Sequence, residues 1–113
     1  MKIIEALGAL GALAHETRLA TFRLLVRAGP GGLPAGAIAT RLGVGATVMS
    51  FHLAELAQAG LVESRRDGRS IIYAASYKRI GALLDYLIED CCQGACGSRA
   101  ITTKENCNEA DAR

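Results

Sequence analysis

Apolar residues recur every three or four positions through the first quarter of the chain, the spacing that places them on one face of an α-helix. The segment IIEALGALGAL has this pattern and predicts a first helix with Ile3, Leu7, Leu10 and Leu13 on its apolar face.

The segment ETRLATFRLLVRAG predicts a second helix that ends in the Gly- and Pro-rich residues 29–32. Its predicted buried stripe consists of Leu19, Phe22, Leu25 and Val26. Three arginines lie off that stripe, at Arg18, Arg23 and Arg27.

Two further helices follow, separated by a tight turn. The segment LPAGAIATRLG predicts a short helix that opens at Pro34, a residue tolerated in a first turn, and stops at Gly43. The segment GATVMSFHLAELAQAGLV predicts a fourth helix, which Gly60 ends. A pair of helices joined by a short, glycine-containing turn is typical of a helix-turn-helix unit.

The apolar period changes after this unit. The segment VESRRDGRSIIYAAS contains two strand-like runs around Asp67-Gly68, a dipeptide typical of two-residue hairpin turns. The segment YKRIGALLDYLIEDCC then predicts a last helix, with Gly94 as its stop. Its predicted apolar face consists of Ile80, Leu83, Leu84, Leu87 and Ile88.

This order of elements predicts a mainly α fold with a small β-hairpin, in the order α-α-α-α-β-β-α. A helix-turn-helix followed by a hairpin has the parts of a winged helix-turn-helix. We therefore predict one domain over residues 1–96, and a disordered tail over the polar, aperiodic residues 97–113. A chain of 113 residues buries a modest core, so a partner surface is expected.

Charge is unevenly distributed. Residues 1–80 carry ten Lys or Arg and five Asp or Glu, whereas residues 81–113 carry three and six. A basic body indicates an anionic partner. The opening segment is similar to a secretory signal, but Glu5 interrupts its apolar stretch, and no run approaches the ~18 residues of a membrane span. We expect a cytoplasmic protein with no membrane partner.

The fourth helix has a face suited to the major groove of DNA. At about 100° per residue, Leu53 and Leu56 lie close to Met49 on a buried stripe. The predicted outward side carries Thr47, Phe51, Ala54 and Gln58, with Ser50 and His52 on the two flanks. Hydroxyls can meet phosphates or base edges, Gln can bond adenine, and Phe can touch a thymine methyl.

Two ordinary structural explanations compete with a DNA-binding role. The fourth helix can be an amphipathic helix with a solvated face, although an exposed Phe argues against that, and a lone His52 is more often a packing or capping residue. Arg65, Arg66 and Arg69 can belong to a solvated turn. Beside a helix-turn-helix, however, they are typical of a wing that neutralises phosphates. We therefore predict a DNA-binding set of Thr47, Ser50, Phe51, His52, Gln58, Arg65, Arg66 and Arg69.

The segment MSFHLAELAQAGLVESRRDGRSIIYAAS resembles the recognition helix and wing of the ArsR/SmtB family of metal-responsive repressors. The shared pattern is Ser-x-His-Leu-x-x-Leu, then Ala-Gly-Leu-Val, then a basic wing with Gly-Arg and a later Tyr. Upstream, ALAHETRLATFRLL matches the family's second helix, so the resemblance covers roughly residues 4–90. It implies a homodimer, joined by the first and last helices, that binds palindromic operator DNA and is not an enzyme.

The cysteines suggest what such a repressor would sense. Cys91, Cys92 and Cys96 form the one soft-ligand cluster, with Cys107 far away in the tail. The third helix has no cysteine, and the last helix has no histidine to join its acidic residues, so the sensory sites usual in this family are absent. The resemblance extends to a branch whose arsenic site lies at the end of the last helix.

The spacing of the thiols permits such a site. On a continued helix Cys91 would extend the apolar stripe, Cys92 would lie about 100° away, and a turn at Gly94 would bring Cys96 back. Three thiolates suit arsenite or antimonite, our predicted inducers, whereas tetrahedral zinc needs a fourth ligand. Alternatives are a cadmium or lead site, a redox switch that pairs Cys96 with a neighbour, a metal carrier, and Cys91 as a simple hydrophobe.

Overall fold

The computed structural model describes residues 1–89, which form five helices and three short strands. In chain order these are α1 (Ile3–Leu13), α2 (Glu16–Ala28), β1 (Leu33–Pro34), α3 (Ala35–Leu42), α4 (Ala46–Gln58), β2 (Val62–Asp67), β3 (Ser70–Ala75) and α5 (Tyr77–Leu87). The mainly helical winged fold is confirmed. The predicted order lacked one element, the two-residue strand β1.

The first helix packs by its small residues, not by its large ones. Ala6, Ala9 and Ala12 are buried, whereas Ile3, Leu7 and Leu10, which the apolar spacing assigned to a packed face, are exposed in the single chain. Alanine side chains let the backbone of α1 lie close to α2 and α4. A broad apolar surface consequently remains on the outside of α1.

The second helix contributes Phe22 and Leu25 to the core, as predicted, but Leu19 and Val26 are exposed. Thr21 is buried in their place. Its hydroxyl donates to the Thr17 carbonyl at 2.8 Å, within the same helix, and lies 3.9 Å from the sulfur of Met49 in α4. A threonine can occupy this core position because its hydroxyl is bonded locally.

The third and fourth helices form the helix-turn-helix. Pro34 precedes the first turn of α3, and Gly43 ends it in the left-handed conformation, with φ +66°. The two helices are bent by 112° at this break, within the range typical of the motif. Met49, Leu53 and Leu56 of α4 are fully buried together with Leu25 and Ile38, so the core under α4 sets its orientation.

The sheet has the strand order β1-β3-β2 and is antiparallel throughout. Asp67 pairs with Ser70, so the hairpin loop is Gly68-Arg69 and the predicted centre at Asp67-Gly68 was wrong by one residue. Gly68 supplies the positive φ of +64° at the first loop position. The difference matters because it moves Arg69 from the strand into the tip of the wing.

The last helix ends at Leu87, with Ile88 as its C-cap, so the predicted helix was too long at residues 88 and 89. The rest of that predicted segment, with its stop at Gly94, lies outside the described residues, as does the predicted tail over residues 97–113. Leu83 is buried, whereas Leu84 and Leu87 are exposed and leave a second apolar surface on the outside of the chain. No single helix within residues 1–89 is long and apolar enough to cross a membrane. Only the bent pair α3 and α4 passes such a test together, by length and composition.

Candidate DNA-binding interface

The exposed side of α4 carries the residues that the helical period predicted there. Thr47, Ser50, Phe51 and Gln58 are exposed, and Ala54 lies between them. The helix contains one acidic residue, Glu55, which is half-buried to one side. The exposed face therefore presents hydroxyls, an amide and a ring, with no carboxylate that would repel a phosphate backbone.

His52 departs from the prediction, because its ring is 6% exposed and belongs to the buried side of α4. Arg18 of α2 donates from Nε to His52 Nδ1 at 3.3 Å, and the ring of His15 lies 4.7 Å away, centroid to centroid. Burial is the main cause that lowers the pKa of His52, and the charges at His15 and Arg18 lower it further. The His52 ring therefore lies on the buried side of α4, with Arg18 as its hydrogen-bond partner, and not on the outward face.

Phe51 is the largest apolar group on the outward face and is 56% exposed. The guanidinium carbon of Arg18 lies 5.7 Å from the centre of its ring, within the range of a cation–π contact. The His52 ring lies 5.8 Å away on another side. The Phe51 ring therefore has Arg18 and His52 as neighbours and is otherwise open to solvent.

The three wing arginines are all exposed but do not form one patch. Arg65 pairs with buried Ile72, and Arg66 pairs with exposed Ile71, so their side chains leave opposite faces of the hairpin. Arg69 lies in the turn itself. The wing therefore presents Arg69 at its tip and Arg66 on one face of the hairpin, and Arg65 lies on the opposite face.

Arg65 has a protein partner that the sequence did not indicate. Its Nη2 donates to the carbonyl oxygen of Gly31 at 2.8 Å and so ties strand β2 to the loop between α2 and β1. A guanidinium has five N–H donors, so this bond leaves others available for a phosphate. Arg65 thus orients the wing in addition to adding charge to it.

The predicted thiol site at Cys91, Cys92 and Cys96 lies outside the described residues, as does Cys107. Within residues 1–89, no group of three or more His, Cys, Asp or Glu side chains has an arrangement that could hold a metal ion. The described part of the chain consequently supplies no competing metal site.

The residues that sequence reasoning missed are Arg18 and His15. The helical period placed Arg18 off the apolar stripe of α2 but gave no sign that it contacts α4. His15 caps α2 by accepting a hydrogen bond from the Thr17 backbone N–H at 3.2 Å. The sequence offered one clue. The chain has two histidines, and their rings are the ones that meet here.

Comparison with known proteins agrees with this geometry. A family model described as a helix-turn-helix domain matches residues 13–65. The HTH-type transcriptional regulator YgaV of Escherichia coli is 31% identical over 80 residues, which cover 71% of this chain and 79% of the relative. The family model covers the helix-turn-helix and extends on both sides of it, from the end of α1 into β2.

Solved structures show the same architecture. An ArsR-like transcriptional regulator from Rhodococcus sp. RHA1 has a TM-score of 0.67 at 27% identity, covering 97% of this chain and 91% of that one. The homodimeric winged helix-turn-helix DNA-binding domain Mb0332 from Mycobacterium bovis, a possible ArsR-family regulator, has a TM-score of 0.63 at 31% identity, covering 78% and 82%. A possible transcriptional regulator for arsenical resistance has a TM-score of 0.62 at 29% identity, covering 73% and 81%.

Proposed function

Since this chain belongs to the ArsR family of winged helix-turn-helix transcriptional regulators, we propose that it is a repressor that binds operator DNA as a homodimer. We propose further that arsenite or antimonite releases it from DNA by binding Cys91, Cys92 and Cys96. Such a repressor acts in the cytoplasm, where its DNA target is.

The outward face of α4 is the observation that carries the DNA-binding proposal. Thr47, Ser50, Phe51 and Gln58 are exposed together on one helix that is fixed to the core by its opposite side. Such a helix can enter a major groove as a rigid unit, with hydroxyl and amide groups for polar base edges and a ring for a thymine methyl. The basic wing beside it would bind the adjoining backbone.

The two exposed apolar surfaces support the homodimer. Ile4 is 73% exposed and Leu7 is 60% exposed on α1, and Leu87 is 51% exposed on α5. Helix α1 packs against α5, so these surfaces can be covered together by a second copy of the chain. Two copies related by a twofold axis would place two α4 helices on half-sites about one DNA turn apart.

Thiol chemistry supports the choice of inducer. The cluster has three thiols within six residues and no nearby histidine or lysine, which suits a soft three-coordinate ion better than a nucleophile. The likeness to a possible regulator for arsenical resistance points in the same direction. A thiol redox sensor is the remaining candidate in the same structural class, and response to peroxide instead of arsenite would identify it.

Selection from a random-sequence duplex pool tests the DNA-binding proposal. We expect the chain to enrich a palindromic site and to bind it with a steep dependence of log K on log salt. The matched variant is Phe51→Ala with Gln58→Ala, which alters the exposed face of α4 without touching the core. Enrichment by this variant of the same site with the same affinity would contradict the assignment of α4 as the reading helix.

A further inference from the structure

Beside the exposed face of α4 lies a small polar cluster whose members contact one another. It consists of His15, Arg18 and His52, with Phe51 in front of it. His52 and Phe51 are neighbours in α4, whereas His15 and Arg18 come from the start of α2. The cluster therefore connects the reading helix to the helix that supports it.

The hydrogen bonds identify the protonation state that the cluster needs. His52 Nδ1 accepts from Arg18 Nε at 3.3 Å, and His15 Nδ1 accepts from the Thr17 backbone N–H at 3.2 Å. An imidazole that accepts at Nδ1 is neutral and carries its proton on Nε2. If His52 bound a second proton, its new Nδ1–H would point at the Arg18 donor and the bond would be lost.

Burial is the main cause that lowers the pKa of His52, and the groups that face it from α2, His15 and Arg18, lower it further. Within α4 the neighbouring acid is Glu55, which lies with Arg18 along the same groove between α1, α2 and α4. No ion pair within 4 Å joins Glu55 to Arg18 in the described part of the chain. The contacts that position the Arg18 side chain are therefore its hydrogen bond to His52 and its cation–π contact with the Phe51 ring.

We infer that Arg18 and His52 are positioning residues for DNA recognition: His52 holds Arg18, and Arg18 holds the exposed Phe51 ring in the orientation that α4 presents to a base edge. This inference rests on the proposed function, because it assigns these residues a role in reading the operator. Neither side chain needs to touch DNA for this role. Their loss should lower specific affinity more than nonspecific affinity, which depends on phosphates.

The pH dependence of binding follows from the same contacts. Protonation of His52 adds positive charge, which by itself strengthens binding to any duplex. It also breaks the Arg18 bond and frees Phe51, which weakens binding to the selected site only. As pH falls from 7.5 to 5.5, the ratio of specific to nonspecific affinity should therefore decrease even though nonspecific affinity rises.

The test compares four variants on the duplex selected by the wild type and on a scrambled duplex of equal length. Arg18→Met removes the guanidinium, and His52→Leu removes the acceptor at similar volume. His52→Asn restores an acceptor near the Nδ1 position and cannot titrate. Arg23→Met removes the same charge from an exposed position of α2 and is the matched control. The pH series is run in a His15→Asn background, which keeps a good N-cap and leaves His52 as the one histidine.

We expect Arg18→Met and His52→Leu to lose about tenfold in specific affinity at pH 7.5. Nonspecific affinity should follow Arg23→Met in Arg18→Met, which removes one charge, and should follow the wild type in His52→Leu, which removes none. We expect His52→Asn to recover most of that loss and to flatten the pH dependence of the ratio. Circular dichroism and thermal unfolding identify any variant that fails to fold. If Arg18→Met or His52→Leu fails to fold, the pH profile of His52→Asn alone tests the inference. Equal specific affinity of Arg18→Met and Arg23→Met, or an unchanged pH profile in His52→Asn, would overturn the inference. If the wild type selects no duplex at all, the proposed function fails instead.

Discussion

Single side chains decide how the wing would bind a phosphate backbone. Arg66 and Arg69 are exposed without a hydrogen-bonded partner among the described residues, whereas Arg65 donates to the Gly31 carbonyl. Removing Arg66 or Arg69 thus removes charge alone. Removing Arg65 also unties β2 from the loop that precedes β1, so its effect on binding should combine charge with wing orientation.

Salt dependence can separate these roles. Arg66→Ala and Arg69→Ala should each reduce the slope of log K against log salt by roughly two units per bound dimer, because each removes one phosphate contact from each of the two subunits. Arg65→Ala should reduce affinity further than its change in slope accounts for. Fluorescence anisotropy over a range of salt concentrations measures both quantities, with Arg23→Ala as the control. A slope that stays unchanged in Arg66→Ala with Arg69→Ala would exclude the wing from the interface.

The protonation of His52 should also affect the stability of the fold. Its pKa is lowered in the folded chain by burial first and by His15 and Arg18 next. The unfolded chain therefore binds a proton more readily, and the free energy of unfolding should be at its full value above about pH 6.5 and should fall as pH drops through the lower folded pKa. Urea unfolding at pH 7.5 and 5.5 measures this change. His52→Asn should lose much of it, and an equal drop in that variant would assign the effect to other groups.

At the level of elements, the small strand β1 depends on one glycine in the loop before it. Gly32 has φ +71°, and a Cβ at this position would overlap the carbonyl oxygen of Tyr73 on β3 and lie 2.9 Å from the carbonyl carbon. The loop can approach the sheet only because this residue has no side chain. The same approach brings Gly31 within reach of Arg65.

Gly32→Ala should consequently destabilise the fold by roughly 2–4 kcal/mol, from the strained backbone and the steric overlap. Gly36→Ala is the matched control, since Gly36 lies in α3 with open space around it and should gain about 0.5–1 kcal/mol from the better helix former. Urea unfolding compares the two. A Gly32→Ala chain as stable as the wild type would show that the loop does not need this close approach.

The elements themselves were largely predictable, because caps, glycine stops and period-3.6 patterns are local signals. The buried stripe of α4 at Met49, Leu53 and Leu56 was correct in full. The predictions were wrong where packing between elements determines which residues are buried and which strands form. Helix α1 buries alanines although its larger residues have the same spacing, and β1 exists only because β3 lies beside it. For the same reason the helical period placed His52 on a flank of the exposed face, since only the packed structure shows that the ring is buried against Arg18.

On the scale of the whole molecule, the exposed apolar surfaces of α1 and α5 make the single chain incomplete. Leu7→Asp with Leu87→Asp should yield a folded monomer, because both side chains are exposed in the single chain, while a buried carboxylate would be costly in a dimer. We expect sedimentation to show the monomer and anisotropy to show weak operator binding. Leu19→Asp, at an exposed position of α2, is the control. A dimer that persists in the double variant would place the interface elsewhere.

The thiols follow α5 in the sequence, and α5 carries part of the proposed interface. An ion that draws Cys91, Cys92 and Cys96 together would alter the chain at the end of that helix. A small rotation of the two subunits would then misalign the α4 helices with their half-sites while the dimer stays intact. A tenfold loss of affinity needs only ~1.4 kcal/mol of coupling, and operator DNA should weaken arsenite binding by the same factor. An arsenite-loaded monomer in sedimentation would contradict this mechanism.

The most direct measurement of the central claim is operator affinity titrated with arsenite under reducing conditions, in the wild type and in single cysteine variants. We predict that arsenite lowers the affinity of the wild type and of Cys107→Ser alike. We predict that Cys91→Ser, Cys92→Ser and Cys96→Ser each bind the operator as tightly as the wild type does and no longer respond. An unchanged wild-type affinity at saturating arsenite, or a full response in all three variants, would contradict the account.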